Sequence, residues 1–232
     1  MIRDRSDPWV HTLLVSMLGI GYWVSICDVS ADVYQRVVRC SASRGIGLSI
    51  VQKLLRSPDN IVFAACRNPS SAVALNALGN APKCSESEKL HVVQMDITDQ
   101  ASISRAKSEV ESILGNASLD YLINNVGIVS TCQLVHSINR HHMKAFKNDT
   151  PSTLDPKDLT VTIAANVAGP TLVTRTFMPL VERGNRKVIT NISSSATIGI
   201  DYGGQHSSYS ISKAAPNTLV RESESLPLTS IS

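Results

Sequence analysis

The feature that most constrains this chain is the regular alternation of short apolar runs with helical segments from residue 36 onward. Residues 61–66 (IVFAAC) form a continuous apolar run, which is typical of a parallel strand covered by helices on both faces. Further strands are predicted at residues 36–40, 91–95, 119–124 and 187–192. Helices are predicted between them, at residues 48–56, 70–78, 101–114 and 159–181 and from Tyr209 onward. This order predicts an α/β fold with a doubly wound parallel sheet.

Composition narrows the class of protein. The chain has 232 residues, of which 43% are hydrophobic, so one sizeable core is expected and wholesale disorder is excluded. Lysine and arginine number 22 against 19 acidic residues, and no basic block is interleaved with aromatics, which excludes non-specific nucleic-acid binding. The five cysteines are scattered without a C-x-x-C pair, which argues against a disulfide framework or a structural zinc site. A reducing, cytoplasmic location is therefore predicted.

The N-terminal segment, residues 1–35, is interpreted as an atypical apolar extension. Residues 9–27 are almost free of charge and leave three alternatives open: a membrane anchor or export signal, a helix or strand packed on the domain, or an unstructured extension. Membrane association is not favoured, because Asp4 and Asp7 dilute the positive flank and the length is marginal for a span.

The nucleotide-binding domain is predicted to run over residues 36–232. Within it, residues 129–148 are interpreted as an insertion forming a surface loop. This segment contains His136, His141 and His142, but no cysteine or carboxylate stands at a supporting spacing, so no metal site is predicted.

A loop rich in small residues follows the first of these predicted strands. Residues 43–47 (SRGIG) lie between a strand and a helix, where glycines let the backbone approach a pyrophosphate at the helix N-terminus. After the second strand, the position that reads the adenosine ribose is Arg67 rather than an acid. Together with Arg44 it favours a 2′-phosphate; the alternative is two solvated surface arginines.

A second set of polar residues lies towards the C-terminus. Tyr209 and Lys213 are four residues apart, so on a helix they share one face. A lysine ammonium beside a phenol stabilises the phenolate and lowers the tyrosine pKa, which suits proton transfer. Three serines, residues 193–195, follow the last predicted strand, at the sheet edge where ligands bind in open α/β folds.

Six motifs in this order resemble the short-chain dehydrogenase/reductase family, and in particular its fungal carbonyl-reductase-like members, over about residues 37–218. The family's T-G-x-x-x-G-x-G is matched imperfectly by residues 40–47 (CSASRGIG), and its N-N-A-G by residues 124–127 (NNVG). The remaining matches are Asp96, Asn166 in the sequence NVAG, Ser194, and the Tyr209/Lys213 pair.

The resemblance implies a Rossmann fold and hydride transfer between NADP(H) and a carbonyl or secondary alcohol. It implies that Tyr209 is the general acid and that Lys213 tunes it and holds the nicotinamide ribose. Ser194 would bind the substrate oxygen, with Ser195 as the alternative, and Asn166 would bind a water linked to Lys213. The implied cofactor-binding residues are Ser41, Ser43, Arg44, Ile46, Gly47, Arg67, Asp96, Ile97, Asn124, Gly127, Tyr209 and Lys213. Family members often form homo-oligomers through the helices carrying Asn166 and Tyr209.

The sequence also departs from the family pattern. Ser41 replaces a loop glycine, which strains the turn by about 1 kcal/mol or more if its φ is positive. Arg36 and Arg39 lie in the expected central strand, where charge is costly. The chain ends soon after Lys213, where the family continues with sheet and substrate-covering elements, so the domain is expected to be incomplete at its C-terminus. The alternative function is therefore a non-catalytic dinucleotide-binding protein derived from such an enzyme.

Overall fold

The structure is a computed structural model that describes residues 10–13, 35–57, 59–79, 89–128, 149–194 and 206–225. Its strands are β1 (Val10–Leu13), β2 (Gln35–Cys40), β3 (Asn60–Cys66), β4 (Leu90–Gln94), β5 (Tyr121–Asn124) and β6 (Val188–Ile192). They form one sheet in the order β1-β6-β5-β2-β3-β4, and every pairing is parallel. The predicted doubly wound parallel sheet is confirmed.

Helices connect the strands. They are α1 (Gly45–Leu54), α2 (Val73–Gly79), α3 (Gln100–Leu114), α4 (Pro156–Ile163), α5 (Gly169–Glu182) and α6 (Ser207–Ser225), with a short 3-10 turn at Pro69–Ser71 before α2. The sequence predicted one helix over residues 159–181. The structure instead places a π-helical turn, Ala164–Ala168, between α4 and α5. Asn166 lies in this turn, and single π-helical turns are frequent at functional sites.

The core has two layers because successive strand residues point to opposite faces of the sheet. Val38 of β2 and Phe63 of β3 are buried on the face covered by α3 and α5. Their neighbours Val37 and Val62 are buried on the other face, with residues of α1 and α2. Coverage of both faces explains why the β3 sequence is an uninterrupted apolar run.

The N-terminal strand β1 is an edge strand of this same sheet. It pairs with β6 in parallel, from Val10 opposite Ile189 to Leu13 opposite Ile192. Among the alternatives for residues 9–27, a strand packed on the domain is therefore what the structure shows at Val10–Leu13. None of the described helices is long and apolar enough to cross a membrane.

The strand order reverses between β2 and β5, which are neighbours in the sheet. In open α/β sheets the crevice at the carboxyl ends of such a pair is the usual ligand-binding position. Arg36 is accommodated at the start of β2, half-buried, where its backbone N–H donates to the buried carboxylate of Asp120 at 3.0 Å. The Arg39 side chain, residues 14–34, the expected insertion at 129–148, Ser195 and residues 226–232 lie outside the described part.

Candidate active site

Lys213 joins the carboxyl ends of β5 and β6 to helix α6. Its Nζ atom donates to the carbonyl oxygen of Ile192 at 2.8 Å and to that of Val126 at 2.5 Å. Its own carbonyl accepts from the Ser193 hydroxyl at 3.3 Å. The parallel register of β5 and β6, with Asn124 opposite Asn191, brings these strand ends together. One side chain therefore fixes the position of the helix against the sheet edge.

The Lys213 ammonium is almost completely buried, with 3% of the residue exposed. Burial lowers the pKa of Lys213 to about 8, because the charged form loses its hydration. The two carbonyl dipoles oriented toward Nζ favour the charged form. With a pKa of about 8, most molecules carry the ammonium at neutral pH, and part of the population loses it under mildly alkaline conditions.

Tyr209 and Lys213 converge on Gly127. A Cβ atom at Gly127 would lie 3.4 Å from both Cε and Nζ of Lys213 and 3.9 Å from Cε2 of Tyr209. The tyrosine ring is half-buried, and Gly127 is exposed. The sequence spacing that predicts a shared helix face is thus confirmed. The absence of a side chain at Gly127 leaves this face open beside the tyrosine ring.

Both polar atoms of the Asn166 side chain form hydrogen bonds. Its Oδ1 accepts from the Ile128 N–H at 2.8 Å, and its Nδ2 donates to the Ile128 carbonyl at 2.9 Å and to the Ser212 hydroxyl at 2.9 Å. The residue is 1% exposed. The amide thus ties the π-helical turn to the chain after β5 and to α6. A water-binding role for Asn166 stays a prediction.

The serines after β6 lie at the same sheet edge as these residues. Ser193 and Ser194 directly follow the strand and are both buried. The Ser193 hydroxyl is used for the Lys213 carbonyl. Ser194 is the next residue along, beside the position at which Lys213 contacts Ile192. The choice between Ser194 and Ser195 stays open, because Ser195 is outside the described residues.

Asn124 has a role within the sheet. Its Nδ2 donates to the Asn191 side chain at 2.9 Å and to the Thr174 hydroxyl at 3.0 Å, and its Oδ1 accepts from the Cys40 thiol at 3.6 Å. Asn124 therefore links β2, β5, β6 and α5. Its influence on a bound dinucleotide would come from fixing these strand ends.

The loop between β2 and α1 has the backbone shape that the glycine pattern predicts. Ser41 has a φ of 57°, so the strain anticipated from the missing glycine is present. A Cβ at Gly47 would lie 1.9 Å from the Ser41 carbonyl oxygen, so no other residue fits there. Arg44 is the N-cap residue of α1 and makes no side-chain capping bond. Ser43 in this loop and Ile46 in the first turn of α1 are both half-buried.

Arg44 and Arg67 follow neighbouring strands, β2 and β3, and both are exposed. Within the described ranges, neither guanidinium forms an ion pair. The Arg67 carbonyl accepts from Gln94 at the end of β4. Two exposed cations therefore lie at one corner of this end of the sheet, beside the N-terminus of α1.

The turn Asp96–Asp99, called the 96–99 turn below, connects β4 to α3. Asp96 Oδ1 accepts from the N–H and the hydroxyl of Thr98 at 2.9 and 2.7 Å. The Asp96 N–H donates to Ser102 at 3.0 Å, and Asp99 caps α3 through Ala101. Ile97 is half-buried against the core layer of α3 and α5. The sequence expectation placed both Asp96 and Ile97 at the cofactor.

Three residues near the site were not identified from the sequence. Ser212 accepts from Asn166 and donates to the Tyr209 carbonyl at 2.7 Å. The buried Asp149 accepts from the N–H and hydroxyl of Ser208, at the start of α6. Gly169 begins α5 against the 96–99 turn. Only Gly169 carried a signal, since a glycine inside a predicted helix weakens the helix and can have a packing reason.

Comparison with known proteins gives the family. The sequence model described as short chain dehydrogenase matches residues 35–226, which is most of the chain. The chain belongs to the short-chain dehydrogenase family. The resemblance inferred from the motifs is thereby confirmed, and with it membership of a family of oxidoreductases with a nicotinamide-binding Rossmann fold.

The sequence of this short-chain dehydrogenase is similar to those of two fungal proteins. It is 31% identical over 181 residues to an uncharacterised oxidoreductase of Schizosaccharomyces pombe, covering 78% of this chain and 62% of that protein. It is 29% identical over 187 residues to a short chain dehydrogenase of Hypocrea virens, covering 77% and 63%. The chain thus spans somewhat less than two thirds of the length of these relatives.

Solved structures of carbonyl reductases share the fold. An NADPH-bound carbonyl reductase from chicken fatty liver superposes with a TM-score of 0.67 and 32% identity, covering 81% of this chain and 71% of that one. A carbonyl reductase of Pseudomonas aeruginosa PAO1 in complex with NADP gives a TM-score of 0.63 and 26% identity, covering 82% and 75%. The short-chain dehydrogenase described here therefore has the architecture of these enzymes.

Proposed function

We propose that this short-chain dehydrogenase is an NADP(H)-dependent oxidoreductase that transfers hydride between the nicotinamide and a carbonyl or secondary-alcohol substrate. The observation that carries the proposal is the convergence of Tyr209 and Lys213 on Gly127, at the carboxyl ends of β5 and β6. Ser194 and Asn166 belong to the same edge, the first after β6 and the second through Ile128. A small-molecule substrate is expected there.

The residues present fit a dinucleotide. The N-cap residue of α1, Arg44, makes no side-chain capping bond, and the first turn has no acidic residue, so the dipole of the helix favours a pyrophosphate at this end. Gly45, at the start of α1, has a φ of 55° and open space where a side chain would lie. Gly127 is exposed beneath Tyr209. These features support a bound dinucleotide running from α1 to the Tyr209 helix.

The two exposed arginines support the phosphorylated form of the cofactor. Arg44 and Arg67 follow neighbouring strands, at the corner where we expect the adenosine ribose to bind. A guanidinium can form charge-assisted, bidentate hydrogen bonds with a phosphate. An acid that would accept from a free 2′-hydroxyl is replaced here by Arg67. The NADPH and NADP bound to the two carbonyl reductases agree with this preference.

In the reducing direction a bound NADPH would supply a hydride for the carbonyl carbon of the substrate. Tyr209 donates its hydroxyl proton to the carbonyl oxygen, which becomes the alcohol. Ser194 donates a hydrogen bond to the same oxygen and so orients it. The Lys213 ammonium favours the tyrosinate that remains. Asn166 keeps the Ile128 segment and α6 in register through its three hydrogen bonds.

Cofactor binding is the first experiment. Calorimetry on the wild-type chain should show saturable NADPH binding that is tighter than NADH binding. The double variant Arg44→Ala/Arg67→Ala should lose about tenfold or more in NADPH affinity and little in NADH affinity, since only NADPH carries the 2′-phosphate. Arg56→Ala is the matched control, because Arg56 is exposed beyond the opposite end of α1. Equal affinities for both cofactors in a folded wild type would contradict NADP(H) specificity.

Turnover is the second experiment. A screen of aldehydes and ketones with NADPH should yield a substrate, and Tyr209→Phe should lower kcat by about 10²–10⁴-fold without abolishing NADPH binding. Tyr121→Phe is the control, since Tyr121 is at the amino end of β5, whereas the candidate site is at the carboxyl ends of the strands. NADPH binding without turnover of any carbonyl or alcohol would favour the alternative, a non-catalytic dinucleotide-binding protein.

A further inference from the structure

We propose that Gly169 is a positioning residue for the adenosine half of the cofactor site, because its missing side chain lets helix α5 contact the 96–99 turn. This inference rests on the proposed function, since it concerns how tightly the chain binds NADP(H). No sequence motif assigned a role to this glycine. The contact carries the proposal.

Gly169 is buried and lies directly against Ile97. A Cβ atom at Gly169 would be 2.8 Å from Ile97 Cδ1, 3.1 Å from Ile97 Cγ1 and 3.0 Å from the Ile97 carbonyl oxygen. Carbon atoms do not approach this closely without displacement. The Ile97 methyl group could rotate away, but the carbonyl oxygen belongs to the backbone. An alanine at position 169 therefore pushes on the turn itself.

The 96–99 turn cannot absorb that push locally. The Asp96 side chain fixes Thr98, and the Asp96 N–H is bonded to Ser102 in α3. The Asp99 N–H donates to the Asp96 carbonyl at 3.2 Å, and the Met95 N–H donates to the Cys66 carbonyl at 2.9 Å. A shift at Ile97 is thus transmitted to Asp96 and to the strand end beside Arg67. These groups form the expected adenosine side of the site.

The helix that carries Gly169 also carries Asn166. The π-helical turn Ala164–Ala168 ends immediately before Gly169, and Asn166 within it is bonded to Ile128 and Ser212. A single turn of helix therefore touches the catalytic side through Asn166 and the adenosine side through Gly169. The close approach at Gly169 therefore sets the distance between the adenosine side of the site and the Tyr209 helix.

The test separates the two halves of the cofactor. Calorimetry measures binding of NADPH and of adenosine 2′,5′-bisphosphate, which has the adenine and 2′-phosphate but no nicotinamide. Gly169→Ala should weaken both by about tenfold or more, raise KM for NADPH, and leave kcat at saturating NADPH near the wild-type value. Gly79→Ala is the matched control, because the only atom of the described residues within 4 Å of its Cβ would be Leu90 Cδ2, at 3.9 Å.

The outcomes are distinct. If wild type binds neither probe, the proposed function fails. If wild type binds both and folded Gly169→Ala binds them equally well, the proposed function stands and this inference is wrong. A fall in kcat with unchanged affinity for both probes also overturns it.

The same substitution in an Ile97→Ala background tests the mechanism, and it keeps the test decisive if Gly169→Ala alone does not fold. Ile97→Ala removes Cγ1 and Cδ1, two of the three atoms that a Cβ at position 169 would meet. Only the contact with the Ile97 carbonyl oxygen, at 3.0 Å, then remains. Adding Gly169→Ala to Ile97→Ala should therefore cost less affinity for adenosine 2′,5′-bisphosphate than adding it to wild type, and an equal loss assigns the push to the carbonyl oxygen alone. If the double variant fails to fold while Ile97→Ala folds, or if the loss is larger in the Ile97→Ala background, the contacts with Ile97 are not what Gly169 relieves and the inference fails.

Discussion

The side-chain amide of Asn166 donates a hydrogen bond of 2.9 Å to the hydroxyl of Ser212, the residue immediately before Lys213. Ser212 passes the connection on, because its hydroxyl donates to the Tyr209 carbonyl. Neither Asn166 nor Ser212 is exposed to solvent. The π-helical turn and the Tyr209 helix are therefore joined through a buried polar pair.

Ser212→Ala is expected to lower the free energy of unfolding by about 1–3 kcal/mol, because one Asn166 N–H would remain buried without an acceptor. Urea denaturation measures the change. Ser210→Ala is the control on the same helix, and its hydroxyl has no partner among the described residues. Equal unfolding midpoints for the two variants would show that the Asn166–Ser212 bond contributes nothing to stability.

Ser41→Gly is expected to raise the free energy of unfolding by up to about 1 kcal/mol. The left-handed conformation of Ser41, with a φ of 57°, costs an L-residue about 1–2 kcal/mol, which exceeds the roughly 0.5–1 kcal/mol lost through glycine flexibility. Thermal and urea unfolding check this. Ser43→Gly, in the same loop but without a positive φ, should be neutral or destabilising. A destabilised Ser41→Gly would mean that the serine side chain contributes more than its backbone costs.

The contribution of Lys213 to the stability of the chain is expected to rise with pH between about 8 and 10.5, because burial lowers the pKa of Lys213 from 10.5 to about 8. In this window the unfolded chain keeps the Lys213 proton and the folded chain has lost it, so rising pH favours folding. The slope is at most about 1.4 kcal/mol per pH unit for one proton. Below this window both the folded and the unfolded chain keep the Lys213 proton, and burial of the ammonium lowers the free energy of unfolding by its largest amount.

Two variants isolate the Lys213 contribution to this pH dependence. Lys213→Met has no titrating group and should lack the rise, whereas the exposed control Lys157→Met should retain it. Urea unfolding at several pH values gives the comparison. A constant stability difference between wild type and Lys213→Met from pH 8 to 10.5 would contradict the lowered pKa of Lys213.

Asp149→Ala is expected to destabilise the chain by about 1–2 kcal/mol, since the Asp149 carboxylate caps α6 by accepting from the Ser208 N–H at 2.9 Å. Asp149→Asn keeps an acceptor and should recover most of the loss. The comparison is Asp155→Ala, which removes the N-cap of α4. Both alanine variants should be less stable, but only Asp149→Ala should also lower kcat, because Tyr209 follows Ser208 directly. Unchanged kcat in folded Asp149→Ala would separate the cap from the active site.

Much of the sheet could be predicted because parallel strands covered on both faces are rich in apolar residues. The run at residues 61–66 corresponds to β3 (Asn60–Cys66), and residues 187–192 correspond to β6 (Val188–Ile192). The placement of the candidate site residues at one end of the sheet could be predicted because they follow these strands, and a parallel sheet collects the carboxyl ends of its strands. Their roles stay predictions. The Tyr209/Lys213 pair needed only helical spacing.

The remaining features depend on contacts between residues far apart in the chain. The β1 strand exists as part of the sheet only because β6, near the other end of the sequence, accepts it at its edge. The π-helical turn interrupts a segment whose sequence predicts one continuous helix. Asn166 within this turn forms hydrogen bonds with Ile128 and Ser212, which are distant in the sequence.

The amino-acid sequence by itself therefore determined the strand–helix alternation, the family and the residues available for chemistry, since these depend on local apolar patterns and on spacing. Only the tertiary structure decided that Lys213 bridges Val126 and Ile192, that Asp149 caps α6, and that Gly169 meets Ile97. Each of these is a hydrogen bond or a steric contact between segments whose distance apart is set by how the helices pack on the sheet, and no local pattern encodes that distance.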